Sequence, residues 1–302
     1  MQTPVFRFAP SPNGHLHLGH AFSAMLNFRA AKALDGRFLV RIEDIDKARC
    51  SPQLEADMLE DLEWLGLSWE TPVFRQSEHF ETYASALRSL EKRGLIYRAY
   101  LTRGEIKRFV ATYEASGEKW PRDPDGAPLY PGDDAVLSPE EENARKDSDA
   151  AYALRLNMGL ALQEVGSNLS WWEGPSEWFD GAETADSWYQ GQRVLAEPAD
   201  WGDVILARKD VPTSYHLSVV LDDARQDVSD VLRGRDLYHA TSVHRLLQSL
   251  LRLPEPRYRH HRLVLGEDGR KLSKSRSDAS LRELDAEGVS SEDLFRGLAL
   301  SK

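Results

Sequence analysis

The chain has 302 residues, 41% of them hydrophobic and 29% charged, with a net charge of −11. This composition suits a globular protein with one main domain and a smaller one, and no apolar run is long enough to cross a bilayer. The residues after Met1 lack the basic and apolar segments of a secretory signal, and the single cysteine, Cys50, excludes an internal disulfide or a multi-cysteine metal site, so a cytoplasmic protein with no membrane partner is expected.

Val5-Phe6-Arg7-Phe8 reads as a short strand, ended by Pro10, Pro12 and the Asn13-Gly14 turn pair. Leu18, Phe22, Met25 and Phe28 then recur at the spacing of a buried helical face, with Gly36 as a helix stop and Phe38–Ile42 as a second strand. Strand, turn, helix and strand in this order imply a βαβ unit in a parallel sheet, whose ligands lie beyond the carboxyl ends of the strands. A helix capped by Ser51 should bury Leu54, Met58, Leu62 and Leu65 before Gly66. Another should bury Phe80, Tyr83, Leu87 and Leu90 before Gly94.

Residues 104–190 mix Pro, Gly and acids with Trp171, Trp172, Trp178 and Trp188, and read as an inserted subdomain between residues 1–103 and 191–302. Regular order returns at Tyr215-His216-Leu217-Ser218-Val219-Val220-Leu221, expected as a buried strand ending in Asp222-Asp223. Charge is uneven along the chain. Residues 123–149 hold nine acids against Arg145 and Lys146, a solvated surface. Residues 252–276 hold eight Arg and Lys against three acids, the better candidate for holding phosphate.

Two elements carry chemistry. His17-Leu18-Gly19-His20 places two imidazoles on one face of a helix's first turn, after a turn that lets backbone approach a ligand. A helix start favours anions, so this turn suits a nucleotide triphosphate; by itself it equally fits a metal pair or surface histidines. Gly269-Arg270-Lys271-Leu272-Ser273-Lys274-Ser275 supplies mobile positive charge and a hydroxyl donor, suited to displacement at phosphorus, or is a solvated basic loop.

Together, in this order, the two elements resemble the HIGH-type and KMSKS-type motifs of class I aminoacyl-tRNA synthetases. Arg7-Phe8-Ala9-Pro10-Ser11-Pro12-Asn13-Gly14 and Arg41-Ile42-Glu43-Asp44-Ile45-Asp46 are similar to the glutamyl-tRNA synthetase group. Glu63-Trp64-Leu65-Gly66-Leu67 and Val231-Leu232-Arg233-Gly234 also fit that group. The resemblance covers residues 5–103 and roughly 200–275. It implies a Rossmann-like α/β catalytic domain whose two halves, 1–103 and 191–302, flank an inserted acceptor-binding-type subdomain.

It also implies that Arg7, Ala9, Ser11, Glu43, Tyr215 and Arg233 bind L-glutamate, two arginines and one glutamate matching two carboxylates and one ammonium. His17, Gly19, His20 and Lys274 would bind ATP, with His17, His20, Lys271 and Lys274 stabilising charge on the phosphates and Mg²⁺ accompanying the pyrophosphate. Glutamyl-adenylate would form, and an acceptor hydroxyl on a tRNA would then take the glutamyl group.

Two departures refine the expectation. Only 27 residues follow Ser275, too few for the anticodon-binding region of full glutamyl-tRNA synthetases, so the chain resembles the truncated glutamyl-queuosine tRNA(Asp) synthetases. The implied acceptor is queuosine of tRNA(Asp); the alternatives are the 3′ end of tRNA(Glu), or a binding module without catalysis. Many relatives also hold zinc through Cys-x-Cys and Tyr-x-x-x-Cys. Here Ala99 and Leu101 stand at the cysteine pair and Asp134 follows Tyr130, so no structural zinc is expected.

Overall fold

β1 (Val5–Phe8) is buried at all four positions, α1 runs Leu18–Ala33, and β2 (Arg37–Ile42) returns parallel to β1 with Phe38 opposite Phe6. The computed structural model that shows this describes residues 3–166, 168–175, 185–266 and 279–298. The expected βαβ unit is therefore present. α1 buries more than one stripe: Ala21, Phe22, Ala24, Met25 and Leu26 are all inside, while Leu18 and Phe28 are only partly buried against the same core. Asp35, not Gly36, takes the left-handed backbone after the helix (φ 49°). Gly36 serves packing instead, because a Cβ there would stand 2.6 Å from the carbonyl oxygen of Pro4.

α2 (Pro52–Trp64) is capped by the Ser51 hydroxyl and buries Met58 and Leu62, with Leu65 just beyond it; Leu54 is only partly buried. β3 (Phe74–Arg75) adds to β2 in parallel, and α3 (Phe80–Lys92) buries Tyr83, Leu87 and Leu90. The middle of the chain supplies β4 (Ile96–Ala99), α4 (Arg103–Glu114), α5 (Pro139–Lys146), β5 (Ala153–Leu156), α6 (Met158–Val165), β6 (Ser170–Glu173), α7 (Ala185–Trp188), β7 (Gln192–Leu195) and β8 (Ile205–Arg208). β4, β5 and β8 form an antiparallel sheet, one strand from each of the three segments expected from the sequence.

The tryptophans do not hold the middle segment together by themselves. Trp171 is buried in a cluster with Val5 and Val231, and Trp188 packs its ring 5.2 Å from Phe6, so both belong to the main core. Trp178 lies outside the described residues. Trp120 does the local work: Phe109 and Tyr113 meet its ring edge-on at 5.0 Å, and its Nε1–H donates to the Leu129 carbonyl at 2.9 Å.

The expected strand at Tyr215–Leu221 is a helix, α8 (Tyr215–Arg225). A seven-residue, mostly apolar run bounded by turns fits a buried strand or a buried helix equally, and here both sides of the helix are covered, burying Leu217, Ser218, Val219, Val220, Asp222 and Asp223. The neglected signal was Ser214, whose hydroxyl accepts the Leu217 N–H.

β9 (Asp230–Gly234), α9 (Ala240–Leu251) and β10 (Arg257–His261) complete a second sheet in the order β7-β6-β10-β9, with β6, β10 and β9 parallel. β9 lies beside β1: Val5 N–H donates to Ser229 Oγ at 2.9 Å and Ser229 N–H to the Val5 carbonyl at 3.1 Å. Strand order thus reverses between β1 and β9, the position where doubly wound folds bind ligands. α10 (Leu281–Ala286) and α11 (Ser291–Gly297) bring Leu281, Leu294 and Leu298 into the core with Phe22 and Leu62. No helix among the described residues is long and apolar enough to cross a membrane.

Candidate active site at the sheet reversal

A cavity of roughly 540 Å³ opens at the carboxyl ends of β1 and β9. Its wall contains every expected glutamate residue, Arg7, Ala9, Ser11, Glu43, Tyr215 and Arg233, together with His17, Gly19 and His20. Lys271 and Lys274 lie outside the described residues. The residues on either side of that segment do reach this region: Leu263 and Val264 line the cavity, Ser280 forms a β-bridge with His17, and Leu281 N–H donates to the Leu16 carbonyl at 2.9 Å.

The histidine turn is built by reciprocal capping. His17 is the N-cap of α1, and its Nδ1 accepts the Gly19 N–H at 3.1 Å. His20 Nδ1 accepts the His17 N–H at 3.2 Å, and the two ring centroids stand 3.8 Å apart. With each Nδ1 an acceptor, a neutral ring carries its proton on Nε2, a donor suited to phosphate oxygen at a helix N-terminus. Gly19 gives the His17 ring room, because a Cβ there would sit 3.0 Å from His17 Cε1 and the ring would have to shift.

Beneath the cavity lies a buried charge cluster. Arg7 Nε donates to Asp223 Oδ1 at 3.0 Å, and Arg41 Nη1 donates to the same oxygen at 2.7 Å. Arg41 Nη2 also reaches Glu43 Oε1 at 3.2 Å. Burial acts to raise the Asp223 pKa, but Arg7 and Arg41 outweigh it and hold the carboxyl below its ordinary value. For Glu43 burial wins over Arg41 and Arg7, and its carboxyl is pushed up. Asp222 turns the other way, accepting from Gln76 at 2.7 Å and from the Tyr83 hydroxyl at 2.9 Å, and burial raises it to about 6. Arg41, Asp222 and Asp223 were not expected in the site; Asp223 pairs with Arg7 across 216 residues, a link that local spacing does not encode.

Arg233 has neutral partners. Its Nε–H donates to His260 Nε2 at 3.1 Å, Nη1–H to His244 Nδ1 at 3.0 Å, and Nη2–H to Thr241 Oγ1 at 2.7 Å. His244 Nε2 in turn stands 3.2 Å from His216 Nδ1. Burial, and then the Arg233 charge, depress all three imidazoles, His216 and His260 to about 4 and His244 well below its usual value. Each is therefore a neutral ring able to accept from the guanidinium.

The basic stretch is largely structural where it is described. Arg257 pairs with Asp230 at 2.7 Å, Arg259 donates to the carbonyls of Pro175 and Trp188, and Arg262 to that of Leu298. In the middle segment, Ala99 and Leu101 offer no metal donor and Asp134 is exposed. Its neighbour Asp133 is buried and accepts the backbone N–H of Tyr100 at 3.0 Å, that of Leu101 at 3.1 Å, and the Tyr130 hydroxyl. A carboxylate thus closes the loop that Cys-x-Cys would close around zinc, and these residues do not fit that metal. The carboxylate that does this is Asp133, one residue before the Asp134 that the Tyr-x-x-x-Cys spacing points to.

The family model for class I tRNA synthetases (E and Q), catalytic domain, matches residues 5–165 and 189–301. A glutamyl-Q tRNA(Asp) synthetase of Rhodobacter capsulatus is 44% identical over 98% of this chain and 100% of its own length. A glutamate–tRNA ligase of Prochlorococcus marinus is 33% identical over 97% of this chain, which spans 57% of that ligase. The solved glutamate-tRNA synthetase of Elizabethkingia anophelis superposes with a TM-score of 0.68 and 25% identity over 95% of this chain and 54% of its own. A doubly wound sheet, a histidine-capped turn at its reversal and this family match agree: the chain belongs to the class I tRNA synthetases of the glutamyl and glutaminyl group.

Proposed function

We propose that the chain is an ATP-dependent ligase that activates L-glutamate as glutamyl-adenylate and transfers the glutamyl group to queuosine of tRNA(Asp). One observation carries the first half: the histidine turn and the arginine–carboxylate cluster meet in one cavity at the sheet reversal. An oxygen of the glutamate α-carboxylate attacks the α-phosphorus of ATP, that P–O bond forms, and the bond to pyrophosphate breaks. His17, His20 and the start of α1 hold the phosphates, with Lys271 and Lys274 adding positive charge. Mg²⁺ arrives as part of the ATP substrate; among the described residues no group of three or more His, Cys, Asp or Glu could hold a metal ion.

The pocket supplies cations for two carboxylates and an anion for the ammonium. Arg7 has its Nε and Nη2 committed to Asp223, leaving Nη1 for substrate, and Glu43 faces the same cavity. The acceptor hydroxyl then attacks the activated carbonyl carbon; the new ester C–O bond forms, AMP leaves, and the hydroxyl proton is released. The 44% identity over the whole of the glutamyl-Q tRNA(Asp) synthetase supports the queuosine acceptor. A second reading, charging the 3′ end of tRNA(Glu), is favoured by the 33% identity to the glutamate–tRNA ligase.

Pyrophosphate exchange with glutamate and ATP tests activation, run with and without tRNA. Exchange without tRNA is expected, and its absence in both conditions would sink activation. Transfer of labelled glutamate followed by cleavage between acceptor end and anticodon loop separates the acceptors. Label on the anticodon-side fragment supports queuosine, and label at the 3′ end supports the second reading.

A further inference from the structure

Arg233 is held by a relay that crosses three adjacent parallel strands. It stands on β9 directly opposite His260 on β10, in register, and its Nε–H donates to His260 Nε2. The other ring nitrogen, His260 Nδ1, lies 2.9 and 3.0 Å from the two carboxylate oxygens of Glu173, the last residue of β6. Glu173 also accepts the His260 backbone N–H at 3.1 Å and the Trp171 indole N–H at 2.8 Å. Neither His260 nor Glu173 lines the cavity, whereas Arg233 does.

The hydrogen-bond pattern fixes the chemistry. Glu173 can only accept from His260, so it places the imidazole proton on Nδ1 and leaves Nε2 as a lone pair. That lone pair orients the guanidinium; an Nε2–H would point a donor at a donor. Leu237, Thr241 and His244 engage the remaining sides of the same guanidinium. A carboxylate outside the cavity therefore decides which way a cation inside it faces.

We propose that Glu173 and His260 are positioning residues, which orient Arg233 toward a carboxylate of the amino-acid substrate by fixing the imidazole tautomer between them. This rests on the reading that the cavity takes glutamate. Outer partners that orient a metal-ligating histidine set affinity on the scale of about 10- to 100-fold without touching the metal, and the same scale is expected for a histidine that orients a guanidinium.

Pyrophosphate exchange on the full chain, with KM measured separately for glutamate and ATP, tests it. Glu173→Ala should raise the glutamate KM at least about 10-fold while the ATP KM stays within about two-fold. Glu173→Gln, whose amide oxygen still accepts the Nδ1–H, should recover most of that loss. Should Glu173→Ala fail to fold, His260→Asn is measured in its place and must show the same split. Unchanged glutamate KM in a folded variant, or an equal rise in both KM values, overturns the relay. Failure of the unaltered protein to exchange with glutamate at all would instead remove the proposed function, so the two failures are distinguishable.

Discussion

Asp223, beneath the cavity, and Asp133, in the segment between β4 and β5, are both buried carboxylates with opposite company. Asp223 accepts from the guanidinium groups of Arg7 and Arg41. Asp133 accepts from two backbone N–H groups and a tyrosine hydroxyl. Around Asp223 the neighbours are strands and helices packed on both sides; α4 buries only Val110 and α5 buries nothing. The Glu105–Arg145 pair near Asp133 is only half-buried, unlike the fully buried arginines on Asp223. The same side chain thus serves two ends: it neutralises cations that a binding pocket must keep in place, or it satisfies the dipoles of a loop. Only the first use tolerates no loss of charge.

Four measurements can break or sharpen this contrast. Asp223→Ala removes the carboxylate shared by two buried guanidinium groups, leaving Arg41 with Glu43 alone and Arg7 without its ion-pair partner, and should cost about 3–5 kcal/mol in urea unfolding, with loss of exchange. Arg233→Ala leaves only neutral partners unpaired, two imidazoles, a hydroxyl and the Leu237 carbonyl, so glutamate-dependent exchange should fall about 100-fold with a smaller stability loss than Asp223→Ala. A larger stability loss in the arginine variant would reverse the ranking of charge over dipole. Asp133→Ala should cost about 1–3 kcal/mol, leave the glutamate KM unchanged, and respond to a chelator no more than the unaltered protein does. One stoichiometric zinc found by metal analysis would contradict the expectation for this loop.

The smallest effect, absent at neutral pH, is a titration. His216 is held at about 4 in the folded state against 6.5 in the free side chain, mainly by burial and then by Arg233. Between those values the unfolded chain binds a proton that the folded chain does not, so stability falls as pH drops from 6.5 toward 4. Asp222, raised to about 6, opposes this by taking up a proton when folded, so the His216 contribution has to be isolated as a difference. His216→Gln should flatten the pH slope of the unfolding free energy in that window by up to about one proton. Parallel slopes for the two proteins would show that folded His216 takes up its proton as readily as the unfolded side chain, and would refute its depression by burial.

Much of the site's outline was legible in the sequence because its parts are local. The turn after β1, the paired histidines of α1 and the carboxyl end of β2 are close along the chain, and their types match their chemistry. What escaped was everything set by distant pairing. Asp223 was visible as an acid after an apolar run, yet its partners are residues 7 and 41; His260, with Glu173 behind it, finds Arg233 only when three strands align, and His244 only when α9 packs beside them. Two local errors have local causes. A helix covered on both sides loses the periodicity that identifies it, as at Tyr215–Arg225. After Tyr130 the motif spacing points to the exposed Asp134, whereas the loop is closed by the buried Asp133, a choice that spacing alone does not encode.

The bond between Val5 and Ser229 spans 224 residues, and it has a consequence for how the polypeptide comes to be made. β1, α1 and β2 leave the ribosome early, but the neighbour on the far edge of β1, the acid that neutralises Arg7 and Arg41, and the leucines at 281, 294 and 298 that close the same core all come late. Such high contact order slows folding and leaves apolar surface waiting for its cover. Elements synthesised before β9 thus wait for it, and for the late leucines, before their apolar faces are covered.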